Sequence, residues 1–337
     1  MAHPADFLRP LRPIGEVSSI GIGTYLGECD DADDARYHAA LTAALDGGIT
    51  LIDTAINYRC QRAERVIGQL LRTRRTTAPS APPPIVCTKG GYIPLHEVPP
   101  EDKAGYRRYI QQEYLDTGIV PANELVAGGH CIAPSFLSDQ IARSRANLGV
   151  DTIDLYYLHN PEQQLAGVSH DVFEQRMRAA FQTLESHVAQ GHLRAYGCAT
   201  WHGLRVLSDA PNTIQLESLV RIATDVGGDA HHFAAVQLPI SLGMPEAVRL
   251  PTQMVRGTPC TPLQAAHELG VAVIVSAPLM HGQLTRGLPH QLHEIFPTAH
   301  TDAQRAIGFA RTLPGVTSVL VGMRDVAHVT ENLAIVV

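Results

Sequence analysis

Four polar residues that lie at or just after short apolar runs are the side chains of this sequence best suited to chemistry. Asp53, Lys89 and His159 each end such a run. Tyr58 follows Asp53 by five positions. A tyrosine keeps its proton at pH 7 because its ordinary pKa is about 10, so it can donate that proton to a developing alkoxide. A lysine cation beside it would lower that pKa, an aspartate would hold the lysine, and a histidine can orient the reacting oxygen. Together these residue types indicate a proton-donating site for chemistry at a carbonyl group.

Each of the four residues also has a purely structural explanation. Asp53 and Lys89 could form a buried ion pair, and Tyr58 could be an aromatic side chain at the rim of the fold. The four are set at the ends of neighbouring runs, however, and the carboxyl ends of parallel strands meet at one face. We therefore expect catalysis, which makes an enzyme the first hypothesis.

Eight β-rich runs alternate with helical patterns and must position these residues. The strands are predicted at residues 17–22, 49–52, 85–88, 153–158, 194–198, 233–237, 271–276 and 318–321. Helices are predicted at 35–45, 62–72, 135–148, 172–190, 262–269, 302–313 and 326–333, with further helical material in 202–226. Alternating strands and helices form a parallel sheet, and eight strands close a barrel. The sequence thus predicts one α/β domain over residues 1–337, a (β/α)8 TIM barrel with long loops on its C-terminal face.

A doubly wound open sheet is the main alternative to the barrel. Such a sheet normally opens with a Gly-rich phosphate loop, and the glycines at 21, 23 and 27 miss the required G-x-G-x-x-G spacing.

Two helix caps are also predicted. Gly47-Gly48 would end the first helix in the left-handed conformation, and Ser135 after Pro134 would be an N-cap.

Three connections are longer than usual, at residues 90–134, 239–261 and 280–301. All three follow strands, which places them on the catalytic face of a barrel. Loops of this length commonly serve as lids or binding elements. The 90–134 loop is therefore a candidate lid over the substrate, and a decoration packed on the barrel rim is the alternative.

Composition excludes several classes of function. The formal charge is −7 and the only dense basic cluster is Arg72-Thr73-Arg74-Arg75, which suits a helix terminus. Nucleic acid and anionic membranes are therefore not expected as partners. The chain has no apolar run of membrane-spanning length, and its six cysteines form no C-x-x-C pair. We expect a soluble cytoplasmic protein with reduced thiols.

Seventeen histidines raise the question of a metal site. His290-x-x-His293 and the adjacent His231-His232 are the best candidates. Neither pair has a third ligand at a helical or hairpin spacing. We therefore expect no functional metal.

Motifs in the correct order along nearly the whole chain resemble those of the aldo-keto reductase family. The most specific stretch runs from Gly48 to Gly68 and contains Asp53, Tyr58 and Glu64. The other matching motifs are Ile20 to Thr24, Thr88-Lys89, Asp154 to His159 with Pro161, Arg194 to Gly197, Val236-Gln237, Pro278-Leu279, and Gly322 to Arg324 with Glu331-Asn332. On these motifs the chain is identified as a member of the family.

The resemblance implies a barrel that binds a nicotinamide dinucleotide, NADPH with NADH as the alternative. It implies Tyr58 as general acid, with Asp53, Lys89 and His159 as its partners. Thr200 and Gln237 would hold the nicotinamide amide, and residues 322–332 would hold the adenosine end. The full set of implied cofactor-binding residues is Gly23, Thr24, Thr200, Gln237, Ser276, Pro278, Leu279, Gly322, Arg324, Asp325, His328, Glu331 and Asn332.

The chain departs from the family pattern at three positions. Ala199-Thr200 stands where many members have Ser-Asn, which leaves Thr200 alone to contact the amide. Ser276 stands where many members have a tyrosine that stacks on the nicotinamide. Asp325 stands where a serine is common and would repel a 2′-phosphate, whereas Arg324 beside it could pair with one. The preference for NADPH therefore depends on the resemblance.

The substrate is expected to be a small carbonyl compound or alcohol. Tyr25, Tyr92 and Trp201 follow the first, third and fifth strands and could wall an aromatic substrate pocket, with loop packing as the alternative. The first functional hypothesis is an NAD(P)H-dependent oxidoreductase that reduces an aldehyde or ketone, or runs in reverse. Two alternatives remain open: a cofactor-binding barrel with a regulatory or interaction role, and a lyase or isomerase that uses the four residues for acid–base chemistry.

Overall fold

Eight parallel strands close a barrel in the computed structural model of the chain, which describes residues 6–96, 98–207 and 210–336. The strands are β1 (Ile20–Gly23), β2 (Leu51–Asp53), β3 (Ile85–Gly90), β4 (Ile153–His159), β5 (Leu193–Ala199), β6 (Phe233–Pro239), β7 (Ala272–Ser276) and β8 (Val316–Gly322). Each strand pairs with its neighbours in chain order, and β8 pairs with β1. The predicted TIM barrel is therefore confirmed.

Each barrel strand is followed by a helix. These helices are α1 (Asp31–Asp46), α2 (Arg62–Thr77), α3 (Pro134–Leu148), α4 (His170–Ala189), α5 (Leu216–Gly227), α6 (Pro262–Glu268), α7 (Asp302–Thr312) and α8 (Val326–Leu333). The predicted helices all form, and most of their ends lie within two residues of the prediction. The exceptions are the start of α1, four residues earlier than predicted, and the end of α2, five residues later.

One of the two predicted caps is confirmed and the other is wrong. Gly47-Gly48 ends α1 as predicted: Gly47 is the C-cap, with φ of −81°, and Gly48 takes the positive φ, of 93°. The N-cap of α3 is Ala133, and Pro134 occupies the first turn. Pro134 can fill that position because its missing N–H would be unpaired there in any case. The Ser135 hydroxyl instead donates to the carbonyl oxygen of Ile119, at 2.8 Å.

A β-hairpin that the sequence pattern missed closes the N-terminal end of the barrel. Its strands, Leu8–Leu11 and Gly15–Ser18, pair in antiparallel register. The predicted strand at 17–22 is thus two elements, separated by Ser19. Leu11, Ile14 and Val17 belong to the same buried cluster as residues from the barrel interior. The hairpin therefore fills the bottom of the barrel with apolar side chains and leaves the opposite end for a site.

The 90–134 insert is folded and has an apolar cluster of its own. It contains a helix, Lys103–Ile110, and a π-helical turn, Gln111–Leu115. Ile93, Ile110, Tyr114 and Phe136 are among the residues of its cluster. Isolated bridges pair His130 with Tyr92 and with Val126. These bridges join the start of the insert to its end.

The other two long connections also carry short elements. Residues 239–261 include the helix Glu246–Arg249 and a hairpin of Gln253–Val255 with Thr258–Cys260. Residues 280–301 include the helix Gln291–Ile295. Among the helices of the described residues, none has the length and apolar character needed to cross a membrane.

Candidate active site

A cavity of about 1010 Å³ opens at the C-terminal ends of the barrel strands. Its lining includes the last residues of several strands, among them Gly23, Asp53, His159 and Gly322. In a parallel barrel this face is built by the loops that follow the strands, and it is where substrates bind. The polar residues singled out in the sequence are thus brought to one place.

A buried ion pair lies at the floor of the cavity. Lys89 Nζ is 2.5 Å from Asp53 Oδ1 and donates a second hydrogen bond, of 2.8 Å, to the carbonyl oxygen of Thr54. Lys89 is 0% exposed and Asp53 is 4% exposed. Burial is the largest single influence and lowers the pKa of Lys89, but the charge of Asp53, the neighbouring Tyr58 and the hydrogen bond to Asp53 together hold the pKa above its ordinary value. The lysine therefore stays cationic in the folded protein.

Tyr58 lies above this ion pair on a tight turn. Its hydroxyl is 3.5 Å from Lys89 Nζ, and the ammonium lies 5.0 Å from the centre of the ring. The three residues that follow, Arg59, Cys60 and Gln61, all have positive φ values, a conformation that side-chain-bearing residues adopt at an energetic cost. Such a turn holds the tyrosine ring toward the cavity rather than continuing directly into α2.

Lys89 lowers the pKa of Tyr58 as predicted, but the net shift is upward. Burial raises the pKa above the ordinary value of 10.0, and the Lys89 charge opposes this rise without cancelling it. Desolvation has this effect because it disfavours the tyrosinate. Tyr58 therefore holds its proton through the neutral pH range.

His159 completes the group as a neutral side chain. Its ring centre is 5.7 Å from that of Tyr58, with the two planes at 76°. Burial, followed by the charge of Lys89, lowers the pKa of His159 well below its usual value. Its buried Nδ1 has no hydrogen-bond partner among the described residues. A neutral imidazole at this point can orient a substrate oxygen by hydrogen bonding.

Gln237 contacts the ion pair, a contact that the sequence reasoning did not foresee. Its Nε2 donates to Asp53 Oδ2 at 2.8 Å. Both carboxylate oxygens of Asp53 therefore accept a hydrogen bond, one from Lys89 and one from Gln237. This arrangement fixes the orientation of the carboxylate, and with it the position of the lysine.

His130, from the 90–134 insert, supports the end of β4 and was also missed. Its Nε2 lies 2.8 Å from the carbonyl oxygen of His159, and its Nδ1 lies 2.7 Å from Gln164 Nε2. Arg176 donates to Gln164 Oε1 at 2.5 Å. Because an arginine cannot accept, the glutamine oxygen must face it and the amide NH₂ must face His130. His130 therefore carries its proton on Nε2, and burial lowers its pKa to about 4.

The far end of the cavity contains two crossed ion pairs between α1 and the loop after β8. Arg324 donates to Asp33 Oδ2 at 2.8 Å. Asp325 accepts from Arg36 Nε and Nη2, at 2.9 and 2.8 Å. The negative charge of Asp325 is thus offset by Arg36, a residue that the sequence reasoning left out. The repulsion predicted from Asp325 is weaker than the sequence suggested.

The remaining predicted residues also line the cavity. The structure places all of the implied cofactor-binding residues there: Gly23, Thr24, Thr200, Gln237, Ser276, Pro278, Leu279, Gly322, Arg324, Asp325, His328, Glu331 and Asn332. Tyr25, Tyr92 and Trp201 line it as well. Tyr25 lies 5.0 Å from Tyr58, and Tyr92 lies 5.0 Å from His159, both measured between ring centres.

Several lining groups are unpaired in a way that suits a polar ligand. The buried atoms Thr200 Oγ1 and Asn332 Oδ1 have no hydrogen-bond partner among the described residues. Arg286, on the loop after β7, lines the cavity and is exposed. Within the described part of the chain it forms no ion pair. The position of Arg286 in the sequence, shortly after Pro278-Leu279, could have suggested a ligand-binding role. Arginines are too common for that position to be a specific signal.

A second cavity, of about 390 Å³, adjoins the first and shares Asn57 and Tyr92 with it. The insert supplies much of its lining, including Tyr106 and Gly129. Among the described residues of its lining there is no Asp, Glu, Lys or Arg. Its hydrogen-bonding groups are amides, tyrosine hydroxyls and backbone, together with the neutral His130.

Comparison with known proteins gives one family and a common fold. The family model described as "Aldo/keto reductase family" matches residues 19–337. A curated relative, D-threo-aldose 1-dehydrogenase from a Pseudomonas species, is 29% identical over 171 residues, a match that covers 49% of this chain and 44% of the relative. The matched stretch therefore spans less than half of that relative's length.

Solved structures resemble the chain over almost all of its length. The glycerol dehydrogenase AKR11B4 from Gluconobacter oxydans is 18% identical, with a TM-score of 0.67, over 98% of this chain and 90% of that one. The holo form of aldo-keto reductase AKR11C1 from Bacillus halodurans is 20% identical, with a TM-score of 0.63, over 95% and 87%. An aldo/keto reductase from Klebsiella pneumoniae in complex with NADP and acetate is 20% identical, with a TM-score of 0.62, over 96% and 87%. At these identities the likeness shows the shared fold.

Proposed function

The chain belongs to the aldo/keto reductase family, and from that premise we propose that it is an oxidoreductase that interconverts a carbonyl compound and an alcohol with NAD(P)H. The observation that carries the proposal is the position of the Tyr58 hydroxyl, 3.5 Å from a buried Lys89 cation and beside a neutral His159. A proton donor, a charge that stabilises its conjugate base and a neutral hydrogen-bonding group are what carbonyl reduction requires.

The proposed roles follow from the protonation states of these residues. A nicotinamide cofactor in the cavity would supply the hydride. Tyr58 Oη then donates its proton to the oxygen that becomes an alcohol, and Lys89 stabilises the tyrosinate left behind. Asp53 holds Lys89 in place, and Gln237 holds Asp53. His159 orients the reacting oxygen beside Tyr58.

The raised pKa of Tyr58 favours reduction over oxidation at neutral pH. Reduction needs the tyrosine protonated, whereas alcohol oxidation needs the tyrosinate as a base. Because burial raises the pKa of Tyr58 above 10, the acid form predominates at pH 7. We therefore propose reduction as the principal direction near neutrality, with oxidation accelerating as the pH rises.

The chain's own residues fit a nicotinamide dinucleotide, and NADPH is proposed as the cofactor with NADH as the alternative. Thr200 Oγ1 and Asn332 Oδ1 are buried hydrogen-bonding atoms without partners, as expected where a ligand's polar groups will lie. Arg286 offers an unpaired cation for a pyrophosphate. Arg324 offers a second cation at the far end, in competition with its bond to Asp33. The Klebsiella structure, which was solved with NADP, supports the choice of NADPH.

The proposed substrate is an uncharged carbonyl compound that carries hydroxyl groups. Tyr25, Tyr92 and Trp201 provide apolar ring surface at the mouth of the main cavity. The adjoining second cavity has uncharged hydrogen-bonding groups in its lining. Such a lining can hydrogen-bond hydroxyls without requiring a charged partner.

The free thiols of all six cysteines support the predicted cytoplasmic location.

A steady-state assay with NADPH and a panel of aldehydes, ketones and sugars tests the proposal. We expect consumption of NADPH, measured by absorbance, with uncharged hydroxylated carbonyls preferred over carboxylated ones. NADPH binding without turnover of any compound would indicate a regulatory barrel instead. Conversion of a substrate without net change in NADPH would indicate a lyase or isomerase.

A further inference from the structure

Two cysteine sulfur atoms are in contact beside the proposed catalytic tyrosine. Cys29 Sγ and Cys60 Sγ are 3.0 Å apart. Cys29 is half-exposed on the loop between β1 and α1. Cys60 is 5% exposed and lies two positions after Tyr58 on the turn with positive φ values. The two thiols thus join two separate segments of the cavity wall.

We infer that Cys29 and Cys60 form an oxidation site, at which a low-molecular-weight disulfide such as oxidised glutathione converts the two thiols into an intramolecular disulfide. A disulfide bond is about 2.05 Å long, so the sulfur atoms need to approach by only about 1 Å. The loop that carries Cys29 is exposed from Tyr25 to Glu28, and a movement of this size is small for such a segment.

The contact is specific to this pair. The other four cysteines, Cys87, Cys131, Cys198 and Cys260, are buried, and none of them contacts another sulfur atom among the described residues. A metal is not an alternative explanation of the pair. Within the described ranges, no group of three or more His, Cys, Asp or Glu side chains is placed to hold a metal ion.

Nearby groups already hold the two segments in register. Arg59 is buried next to Cys60, and its Nε donates to the carbonyl oxygen of Glu28 at 2.8 Å. Its Nη2 forms an ion pair with Asp34 on α1. These contacts keep the backbone of the loop beside the turn, so disulfide formation does not require the two segments to be brought together from a distance.

The chemistry proceeds in two exchange steps. The Cys29 thiol, the more accessible of the two, loses its proton and attacks one sulfur of oxidised glutathione, which forms a mixed disulfide and releases one glutathione thiolate. Cys60 then loses its proton and attacks the Cys29 sulfur, which forms the internal bond and releases the second glutathione thiolate. The two thiolates take up the two protons. The protein pair is oxidised by two electrons, and oxidised glutathione is reduced to two molecules of glutathione.

The second step should be slow. Burial, together with the neighbouring Cys29, raises the pKa of Cys60 to about 12. Since the thiolate is the attacking form, little of Cys60 is reactive at pH 7. A mixed disulfide on Cys29 should therefore accumulate briefly, and its conversion to the internal bond should speed up as the pH rises.

The bond would connect a cavity-lining loop to the turn that holds Tyr58. Tyr25 and Leu26, on the loop with Cys29, line the main cavity, and Tyr25 contacts the Tyr58 ring. A loop that covers a bound ligand must move for that ligand to leave. A covalent link between Cys29 and Cys60 would restrain this movement and slow release of the cofactor. This consequence rests on the proposed function, whereas formation of the bond does not.

Mass spectrometry of the intact protein tests the bond directly. Protein treated with oxidised glutathione should lose the mass of two hydrogen atoms. Alkylation in denaturant should then modify four thiols instead of six, and a proteolytic digest should link the peptides of Cys29 and Cys60. Cys60→Ser should stop at a stable glutathione adduct on Cys29, and Cys29→Ser should form neither product. Cys260→Ser is the matched control and should form the bond normally. Six alkylated thiols after treatment, a mixed disulfide that persists in the wild type, or a link between other cysteines would overturn the inference.

Two further measurements test the consequence. Because the bond closes the segment from residue 29 to residue 60, the midpoint of thermal unfolding should rise by roughly 5 °C and return on reduction. The rate of NADPH release, measured by stopped-flow fluorescence, should fall several-fold in the oxidised protein and stay unchanged in the treated Cys29→Ser variant. Linked cysteines with an unchanged release rate would contradict the restraint. A protein that forms the bond but never binds NADPH would refute the proposed function and leave the oxidation site in place.

Discussion

Replacing Asp53 by asparagine tests the ion pair on which the proposed site depends. The substitution keeps the shape of the side chain but removes its charge and one of its two acceptor atoms. In the wild type, one carboxylate oxygen accepts from Lys89 at 2.5 Å and the other from Gln237 at 2.8 Å. In Asp53→Asn, the amide NH₂ must face one of these two donors. Either Lys89 or Gln237 then loses its acceptor inside the protein.

The decrease in the free energy of unfolding caused by Asp53→Asn can be approximated from the burial of Lys89. Lys89 is 0% exposed, so water cannot replace the lost carboxylate. Removing one partner of a buried ion pair typically costs about 3–5 kcal/mol. The hydrogen bond from Lys89 to the Thr54 carbonyl oxygen remains, which places the expected loss near 3 kcal/mol. As a matched control, Asp46→Asn removes an exposed carboxylate from its pair with Arg74 and should cost less than about 1 kcal/mol.

The stability lost in Asp53→Asn should decrease as the pH rises. In the wild type, burial lowers the pKa of Lys89, but its interactions, chiefly those with Asp53, hold it above the ordinary value of 10.5. The stabilisation is therefore complete below pH 10.5 and is lost only as the pH rises through the folded value. In Asp53→Asn, the main opposing interaction is gone, so burial prevails and the folded pKa falls below 10.5. The folded variant then binds fewer protons than the unfolded chain, so its stability rises with pH. The difference between the two proteins should therefore be largest at pH 7 and smaller at pH 10.

Urea unfolding at both pH values provides the measurement. A difference below about 1 kcal/mol at pH 7 would mean that Lys89 and Asp53 do not form a buried ion pair. A difference that is the same at pH 7 and pH 10 would mean that Lys89 does not change its protonation, and the assignment of the charged lysine would be refuted.

Two further predictions concern residues around the group formed by Asp53, Tyr58, Lys89 and His159. Arg324→Ala should weaken the binding of NADPH more than that of NADH, and Asp325→Ser should favour NADPH because it also frees Arg36 to contact a 2′-phosphate. Fluorescence titration of both cofactors checks this. Unchanged affinity ratios in both variants would place the 2′ site elsewhere. His130→Ala should lower kcat by about tenfold, a loss of roughly 1.4 kcal/mol in the transition state, with NADPH affinity unchanged. His130→Gln, which can still donate to the His159 carbonyl, should recover part of the rate, and equal kcat values for the two variants would argue against a positioning role.

The barrel could be predicted because strand and helix patterns repeat with a regular period. Eight apolar runs separated by amphipathic segments fix the element types and their order, and the barrel follows from their number. The N-cap of α3 could not be predicted in the same way. Ser135 is a common N-cap residue, but the helix starts one residue earlier because Pro134 suits its first turn. Local contacts decided this, and the sequence pattern does not contain them.

The N-terminal hairpin shows a second limit of sequence patterns. Its second strand and β1 are separated only by Ser19, so the sequence pattern predicts one strand over both. Nothing in that run indicates that its first half pairs with residues 8–11 and its second half with the barrel. The buried positions of Leu11 and Val17 in the barrel interior depend on tertiary packing.

In the candidate site, too, some features could be predicted from the sequence and others could not. The positions of Asp53, Lys89 and His159 could be predicted because Asp53 and His159 end strands and Lys89 is the next-to-last residue of one. Partners that come from distant parts of the chain could not be predicted, and Gln237 and His130 are the clearest cases. The net rise in the Tyr58 pKa could not be predicted because desolvation depends on burial, which a sequence motif does not quantify.

The most direct test of the proposed mechanism is Tyr58→Phe, which removes the proton donor and keeps the ring. Once the substrate panel has identified a carbonyl compound that the wild type reduces, kcat and NADPH affinity should be measured for both proteins. We predict that kcat falls by about 10²–10⁴-fold, the usual contribution of a general acid, while NADPH affinity changes by less than about twofold because the ring remains in the cavity wall. Wild-type turnover by Tyr58→Phe on the same substrate would contradict the central claim.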